Sequence, residues 1–381
     1  MIVIKGGKIF TMNELGLIDN GSIIIEGNYI KAVNKDIKVT PDAELIDAHG
    51  KYICPGFIDA HTHIGLEEEI YRVEGDDVNE TSNPITPQMQ ALDGINFEDL
   101  AFKDALRGGV TRSMSMPGSA NIIGGQAVFI KHLALGMENM IYKNPWGLKA
   151  ALGENPKRVY SQEKKSPKTR MANASLLRDA LYSAAICMEK KDLDPKEEYY
   201  QRPVSKVLRR EIPLLLHAHR ADDILTALRI KDEFNIDLII QHGTEAFKVA
   251  DELVKRSVPV FLGPLLVNRA KVEMKEVSFK SAYLLAERGV EFCFITDHPV
   301  VPIEHLRVCA ALTVREGLDE TLALEAITSL PARLLRVGDE LGSIEEGKRA
   351  DLTIFDNHPF DFRSRVDLIM VDGNIWRDNS E

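Results

Sequence analysis

Six short apolar runs in the middle of this chain, at 109–116, 148–152, 213–217, 237–242, 258–262 and 290–296, alternate with stretches of helical composition. Parallel strands cannot be joined by a tight turn, so this alternation is the pattern of a parallel α/β sheet with helical crossovers. Helices are expected over 97–107, 173–190, 221–234 and 279–288. Several runs close on polar residues, among them His217, His242 and Asp297. A barrel gathers the carboxyl ends of its strands over one site, whereas a doubly wound sheet opens around one crevice. Six or more contributing strands favour the barrel. The expected fold class is α/β, with a barrel at its centre.

The two ends of the chain read differently. Residues 1–50 carry short strand runs around Gly6-Gly7 and Glu26-Gly27, and 338–381 return to strands and turns, with Asp372-Gly373 as a hairpin signal. Neither piece has enough apolar residues for a core of its own. One small β-sandwich built from both ends is therefore expected, with 1–53 and 338–381 flanking a barrel over 54–337.

Composition narrows the partners. The formal net charge of −11 argues against a nucleic acid, because phosphate binding needs a basic face. A small substrate remains compatible, including an anionic one held by a local pocket. No basic amino-terminal stretch precedes an apolar segment, and no apolar run approaches membrane-spanning length, so a cytoplasmic protein without a membrane partner is expected. Cys54, Cys187, Cys293 and Cys309 are scattered in apolar surroundings without CxxC spacing, which reads as buried thiols rather than disulfides.

The chemistry concentrates on histidines. His61 and His63 close the run YICPGFIDAHTH, and alternate residues of a strand share a face, so both imidazoles can converge on one point. An isolated HxH also describes two surface histidines on an edge strand. Here PLLLHAH adds His217 and His219, LIIQHG adds His242 and CFITDH adds Asp297. Strand ends converging on these residues point to one or two divalent metals, and nitrogen ligands with a carboxylate suit Zn2+. Zinc in such a set lowers the pKa of its bound water, and Asp297 is placed to take that proton and pass it to a leaving amine. A second metal needs a bridging anion. Lys149 lies mid-strand in WGLKAALGENP, where a free ammonium is costly to bury, and carbamylation by carbon dioxide would make it anionic. Glu154, at the strand end, is the alternative, and Lys149 is preferred.

Other polar segments surround these runs. MPGSANIIGGQAVFIKH reads as a glycine-rich turn before a helix, or as a loop whose Ser119, Asn121, Gln126, Lys131 and His132 hold a substrate anion. It lacks the GxxxxGK[ST] order of a nucleotide loop. Residues 153–172 and 189–210 are polar and highly charged, which suggests a lid or an exposed insertion. Arg112 and Arg220 are candidate anion clamps, each expected instead to pair with a scaffold carboxylate.

On PGFIDAHTH, GVTRSMSMPG, HAH, QHG, TDHP and the closing GSIEEGKRADLTIFD, the chain resembles the metal-dependent amidohydrolase superfamily, especially its imidazolonepropionase-like and prolidase-like branch. The resemblance spans nearly the full chain and implies a distorted (β/α)8 TIM barrel with a small β-sandwich, in agreement with the barrel and sandwich expected above. It implies that His61, His63 and Asp297 hold the more buried metal and His217 and His242 the other. Leu148-Lys149 resembles the IK strand that carries a carboxylated lysine in prolidase-like members. The chain continues ALGENPKR instead of their glycine pair, and Glu154 could imitate the glutamate ligand of the deacetylase branch.

The implied activity is hydrolysis of an unreactive C–N bond in a cyclic or linear amide, with an Xaa-Pro dipeptide or an imidazolone-like ring among the candidate substrates. Asp297 would shuttle the proton, and His219 or His242 would polarise the carbonyl if not occupied by metal. N-deacetylation and deamination are the alternatives, although LLHAHRADD lacks the HxxE expected of a deaminase. A metal-binding scaffold without activity is a further alternative, and retention of the five ligands argues against it. Resembling enzymes are commonly homo-oligomers.

Overall fold

The computed structural model describes residues 1–35, 42–70, 73–134, 136–190, 192 and 194–378. The amino-terminal strands are β1 (Ile2–Phe10), β2 (Leu17–Glu26), β3 (Tyr29–Asn34), β4 (Glu44–Asp47) and β5 (Tyr52–Pro55). Eight more follow: β6 (Phe57–Thr62), β7 (Val110–Ser115), β8 (Ile123–Lys131), β9 (Ile141–Ala151), β10 (Leu214–Ala218), β11 (Leu238–His242), β12 (Val260–Leu262) and β13 (Phe292–Phe294). β14 (Leu352–Phe355), β15 (Val366–Val371) and β16 (Asn374–Trp376) complete the set.

The ends of the chain share one sheet, ordered β16-β15-β14-β5-β1-β2-β3, with β4 also on β1. Its joint is the antiparallel pairing of β14 with β5, which sets Ile354 opposite Ile53. Period-two alternation drives the packing: Ile23 and Ile25 of β2 point inward while Ile24 between them is half-buried. They meet Ile4, Ile9, Leu352 and Ile354 in a core that neither end could build alone.

β6 to β13 form the barrel, hydrogen-bonded in chain order. Every residue of β6, β7, β10, β11, β12 and β13 is buried, as expected of strands covered on both faces. The wall closes where Thr62 bridges His298 and the His63 amide donates to the His298 carbonyl at 2.8 Å. Farther down, Ile58 and Phe294 donate to the carbonyls of Ile327 and Ala326, which fill the gap between β6 and β13.

The glycine-rich segment differs from expectation. IGGQAVFIK is β8, a strand of the wall that runs antiparallel to both β7 and β9, and among the described residues only one short 3-10 turn, Met137–Met140, separates it from β9. The connection from Ser115 to Ile123 is too short for a crossover helix, so the chain turns back on itself. Gly125, at φ +138°, lies against the backbone of Met89, and a Cβ there would come within 2.7 Å of its carbonyl oxygen. Lys131 pairs with Asp372 and His132 is buried against Ser113 and Val110, so neither serves an anion-binding loop.

The charged segments are helical rather than loose. After α1 (Ala101–Arg107), residues 153–172 contain α2 (Glu154–Gln162) and the start of α3 (Arg170–Glu189), and 189–210 contain α4 (Pro195–Leu208). Thr169 caps α3 by accepting from the Ala172 amide. α5 (Ala221–Phe234) lies over the sequence-expected helix and stops at Asn235, which adopts the left-handed conformation. All four cysteines are buried and free. Among the described residues no helix is long and apolar enough to cross a membrane.

Arg112 locks the sheet to the barrel. It is fully buried on β7, with Nε 2.6 Å from Asp351 and Nη2 2.6 Å from Asp372, both beside the carboxyl-terminal strands. Arg220, in contrast, pairs with Asp222 at the surface. Both arginines thus serve scaffold carboxylates. Removing one partner of a buried ion pair strands the other charge. Arg112→Met should therefore lower the unfolding free energy by about 3–5 kcal/mol in urea titrations at neutral pH. Burial tends to raise the Asp372 carboxyl pKa, but Arg112 and Lys131 outweigh it and hold the pKa below its ordinary value. Its stabilising contribution is complete above the unfolded pKa, about 3.9, and is lost as pH falls through the lower folded value. Arg112→Met should flatten that acid limb of the stability profile.

Candidate metal centre

The site sits over the carboxyl ends of the barrel strands. His61 is completely buried, and its Nδ1 lies 2.7 Å from the Gln241 side-chain oxygen. His63 Nδ1 lies 2.7 Å from the Met116 carbonyl, and His242 Nδ1 lies 2.9 Å from that of Gly263. A carbonyl oxygen only accepts, so each Nδ1 carries the proton and each Nε2 presents a lone pair. His219 is held similarly, with Nδ1 2.7 Å from the Thr244 hydroxyl.

Those lone pairs face an anion. Asp297 Oδ1 lies 3.0 Å from His61 Nε2 and 3.2 Å from His63 Nε2. Burial, reinforced by the nearby Lys149 charge, pushes the His61 pKa down to about 4, so the ring is neutral at physiological pH. Neutral imidazole nitrogens and a carboxylate thus meet acceptor to acceptor, an arrangement a cation relieves. The residues fit a divalent metal.

Two donor groups emerge, His61/His242/Asp297 and His217/His219/His242, with all ligand atoms of each within 4.8 Å of one another. Neither ring nitrogen of the buried His217 has a hydrogen-bond partner. Local backbone strain aims two of the donors: His242 and Asp297 adopt φ +75° and +56° at their strand ends. Left-handed conformations in non-glycine residues cost on the order of 1–3 kcal/mol each, and such strain clusters at functional sites. Asp59 fixes the strand behind them by accepting from the Thr296 hydroxyl and amide and from the His61 amide.

Lys149 is buried with Nζ 3.3 Å from His61 Nε2 and 3.6 Å from Met116 Sδ, and burial pushes its pKa down to about 7. No acidic side chain pairs with it among the described residues. Glu154 stands apart: its carboxylate makes no ion pair with these histidines among the described residues, and its role is through the backbone. The Glu154 amide donates to Glu273 Oε2 at 3.1 Å. Glu273 itself, in the short turn Val272–Met274, was not marked in the sequence, because KVEMKEV shows no strand-end pattern. Gln241 was visible only as the neighbour of His242. A cavity of about 520 Å³ opens over the cluster and is lined by His63, His217, His219, Asp297, Asn155 and Lys271, among others.

A closed, distorted eight-stranded barrel with a histidine- and aspartate-lined centre over its strand ends defines a class, the TIM-type barrel with a candidate divalent-metal site. Residues 52–376 match the Amidohydrolase family, and the chain belongs to that family. It is 41% identical to an amidohydrolase structure from Thermotoga maritima MSB8, covering 99% of this chain and 100% of that one at a TM-score of 0.94. A prolidase crystallised with N-methylphosphonate-L-proline has the same fold, at 19% identity over 99% of both chains and a TM-score of 0.64. The amidohydrolase tasK of Hapsidospora irregularis is 26% identical over 94% of this chain. An adenine deaminase of Listeria monocytogenes is 24% identical over 92%. This chain spans 40% and 53% of those two relatives.

Replacing the His61 partner should loosen the centre without touching a ligand. Gln241→Met keeps the volume but frees the His61 ring to turn, and loss of such a hydrogen bond costs roughly 10–100-fold in metal affinity. Competition against a coloured chelator measures this. Unchanged affinity would mean that Gln241 does not orient His61.

Proposed function

We propose that this protein hydrolyses the C–N bond of a small amide, cyclic or linear, at this centre. The supporting observation is the acceptor-facing-acceptor cluster of His61, His63 and Asp297, opening with His217 and His219 into one cavity. His61, His63 and Asp297 would hold one divalent ion, zinc being the expected one, and His217 and His242 a second. Lys149, buried beside His61 and with no acidic partner among the described residues, is the candidate bridge after carboxylation. A bound ion supplies Lewis acidity and makes water a nucleophile near neutral pH.

The chain's own groups do the rest. Asp297, a mostly buried carboxylate that lines the cavity, would accept the proton of the attacking water and deliver it to the departing nitrogen. His219 lines the cavity with Nδ1 beside the Thr244 hydroxyl; where that hydroxyl donates to Nδ1 and no ion sits on Nε2, the Nε2 proton would polarise the carbonyl. Barrel walls exclude bulk water on the other sides and so strengthen these interactions. Xaa-Pro dipeptides and N-acyl amino acids are the first linear substrates, and imidazolone-like rings the first cyclic ones. Deamination is the second reading, supported by Glu273, a carboxylate beside the His217 and His219 pair that the HxxE pattern would otherwise supply.

A panel of these amides and of aminated rings, with amine and ammonia release measured, separates the readings. The metal-loaded protein should turn over an amide, lose activity to a chelator and regain it with Zn2+. Asp297→Asn should lower kcat by about 10²–10⁴-fold, the usual contribution of a positioned acid–base group. Ammonia from an aminated ring alone would favour deamination. Full metal loading without turnover of any class would favour a binding scaffold.

A further inference from the structure

Glu273 is completely buried, and among the described residues its Oε1 has no hydrogen-bond partner. That oxygen lies 3.7 Å from His217 Nε2 and 3.9 Å from His219 Nε2. Both distances are too long for a hydrogen bond, which needs about 2.7–3.2 Å. They are close to another spacing. Donors about 2.1 Å from a tetrahedral zinc lie about 3.4 Å from each other. Among the described residues no lysine or arginine pairs with Glu273, although a buried carboxylate needs a counter-charge. His217, opposite it, has two unpartnered ring nitrogens.

The backbone is shaped to hold this carboxylate in place. The Glu154 amide, at the start of α2, donates to Glu273 Oε2 at 3.1 Å. Gly153, at φ +84°, leaves the space: a Cβ there would come within 2.8 Å of the same oxygen. One oxygen is thus tethered and the other is turned toward two imidazoles.

We infer that Glu273 is a cation ligand, completing with His217 and His219 a carboxylate-bearing second site. This rests on the reading of the histidine cluster as a metal centre. Glu273 gives that side its own anion, so a second cation can be held there whether or not Lys149 is modified. The carboxylate comes from the turn after β12, not from the β9 strand end where Glu154 lies.

Metal content of the full chain tests this independently of activity. The protein is stripped with a chelator, reloaded with Co2+, and analysed by elemental analysis, chelator competition and visible absorption. Wild type should hold two ions per chain. Glu273→Gln should hold one, or hold the second more weakly by at least the roughly 10–100-fold seen for lost outer hydrogen bonds. It should also lose part of the Co2+ absorption. Unchanged stoichiometry, affinities and spectrum in Glu273→Gln would overturn the inference, as would a single ion in wild type that the substitution leaves untouched. If the variant does not fold, anomalous diffraction from the loaded wild type decides. A Glu273 oxygen at about 2.0–2.2 Å from an ion supports ligation, and one beyond about 3 Å overturns it. An inert wild type holding two ions would sink the proposed hydrolysis and leave this readout intact.

Discussion

The organisation of this molecule turns on neutral imidazoles aimed at a carboxylate. His61 and His63 give their Nδ1 protons to fixed oxygen acceptors, which leaves both Nε2 lone pairs directed at Asp297 about 3 Å away. Without a cation these groups repel; with one they become ligands whose orientation is already set. The surrounding fold keeps that juxtaposition in place. Thr296 pins Asp59 beneath His61, and the His63 amide is tied to the His298 carbonyl where the barrel closes. Barrel closure and construction of the site are therefore one event: the bonds that join the last strand to the first also bring Asp297 to the two histidines.

The second sheet contributes at a distance. β7 carries Arg112 at one end, clamped by Asp351 and Asp372, and leads at the other into Met116, whose carbonyl holds His63. The chain ends supply those carboxylates, so their burial against the barrel anchors the strand that orients a candidate ligand. Such anchoring shows contiguity, and energetic coupling along it is a separate quantity that only paired substitutions measure.

Much of this was legible in the sequence because it rests on local pattern. Apolar runs closing on His61, His63, His217, His242 and Asp297 carry both the strand periodicity and the chemistry, so barrel and cluster could be read together. β8 could not be read this way. Its glycines look like a turn, and only the shortness of the connection from β7 forces an antiparallel strand into the wall. Gln241 and Glu273 were hidden for a different reason. Their roles depend on neighbours far away in the chain, His61 for Gln241 and the pair His217 and His219 for Glu273, and no local spacing encodes such meetings. Glu154 shows the converse: its position at the strand end was read correctly, while its part in the structure is played by its amide.

The same contrast explains the asymmetry of the centre. The His61 side is assembled from strand ends and closed by backbone carbonyls, which leaves it little freedom. The His217 side depends on a carboxylate from a short turn and on imidazole nitrogens without protein partners. Polar atoms so deeply buried are normally satisfied, and each unsatisfied one costs about 1–3 kcal/mol. Glu273 Oε1 and His217 Nε2, both unpartnered among the described residues, face each other at 3.7 Å, an arrangement that the proposed ligand would explain and packing alone would not. Lys149 lies beside His61, and among the described residues no acidic side chain pairs with it. Whatever modifies or neutralises that amine acts directly on the His61 side of the site.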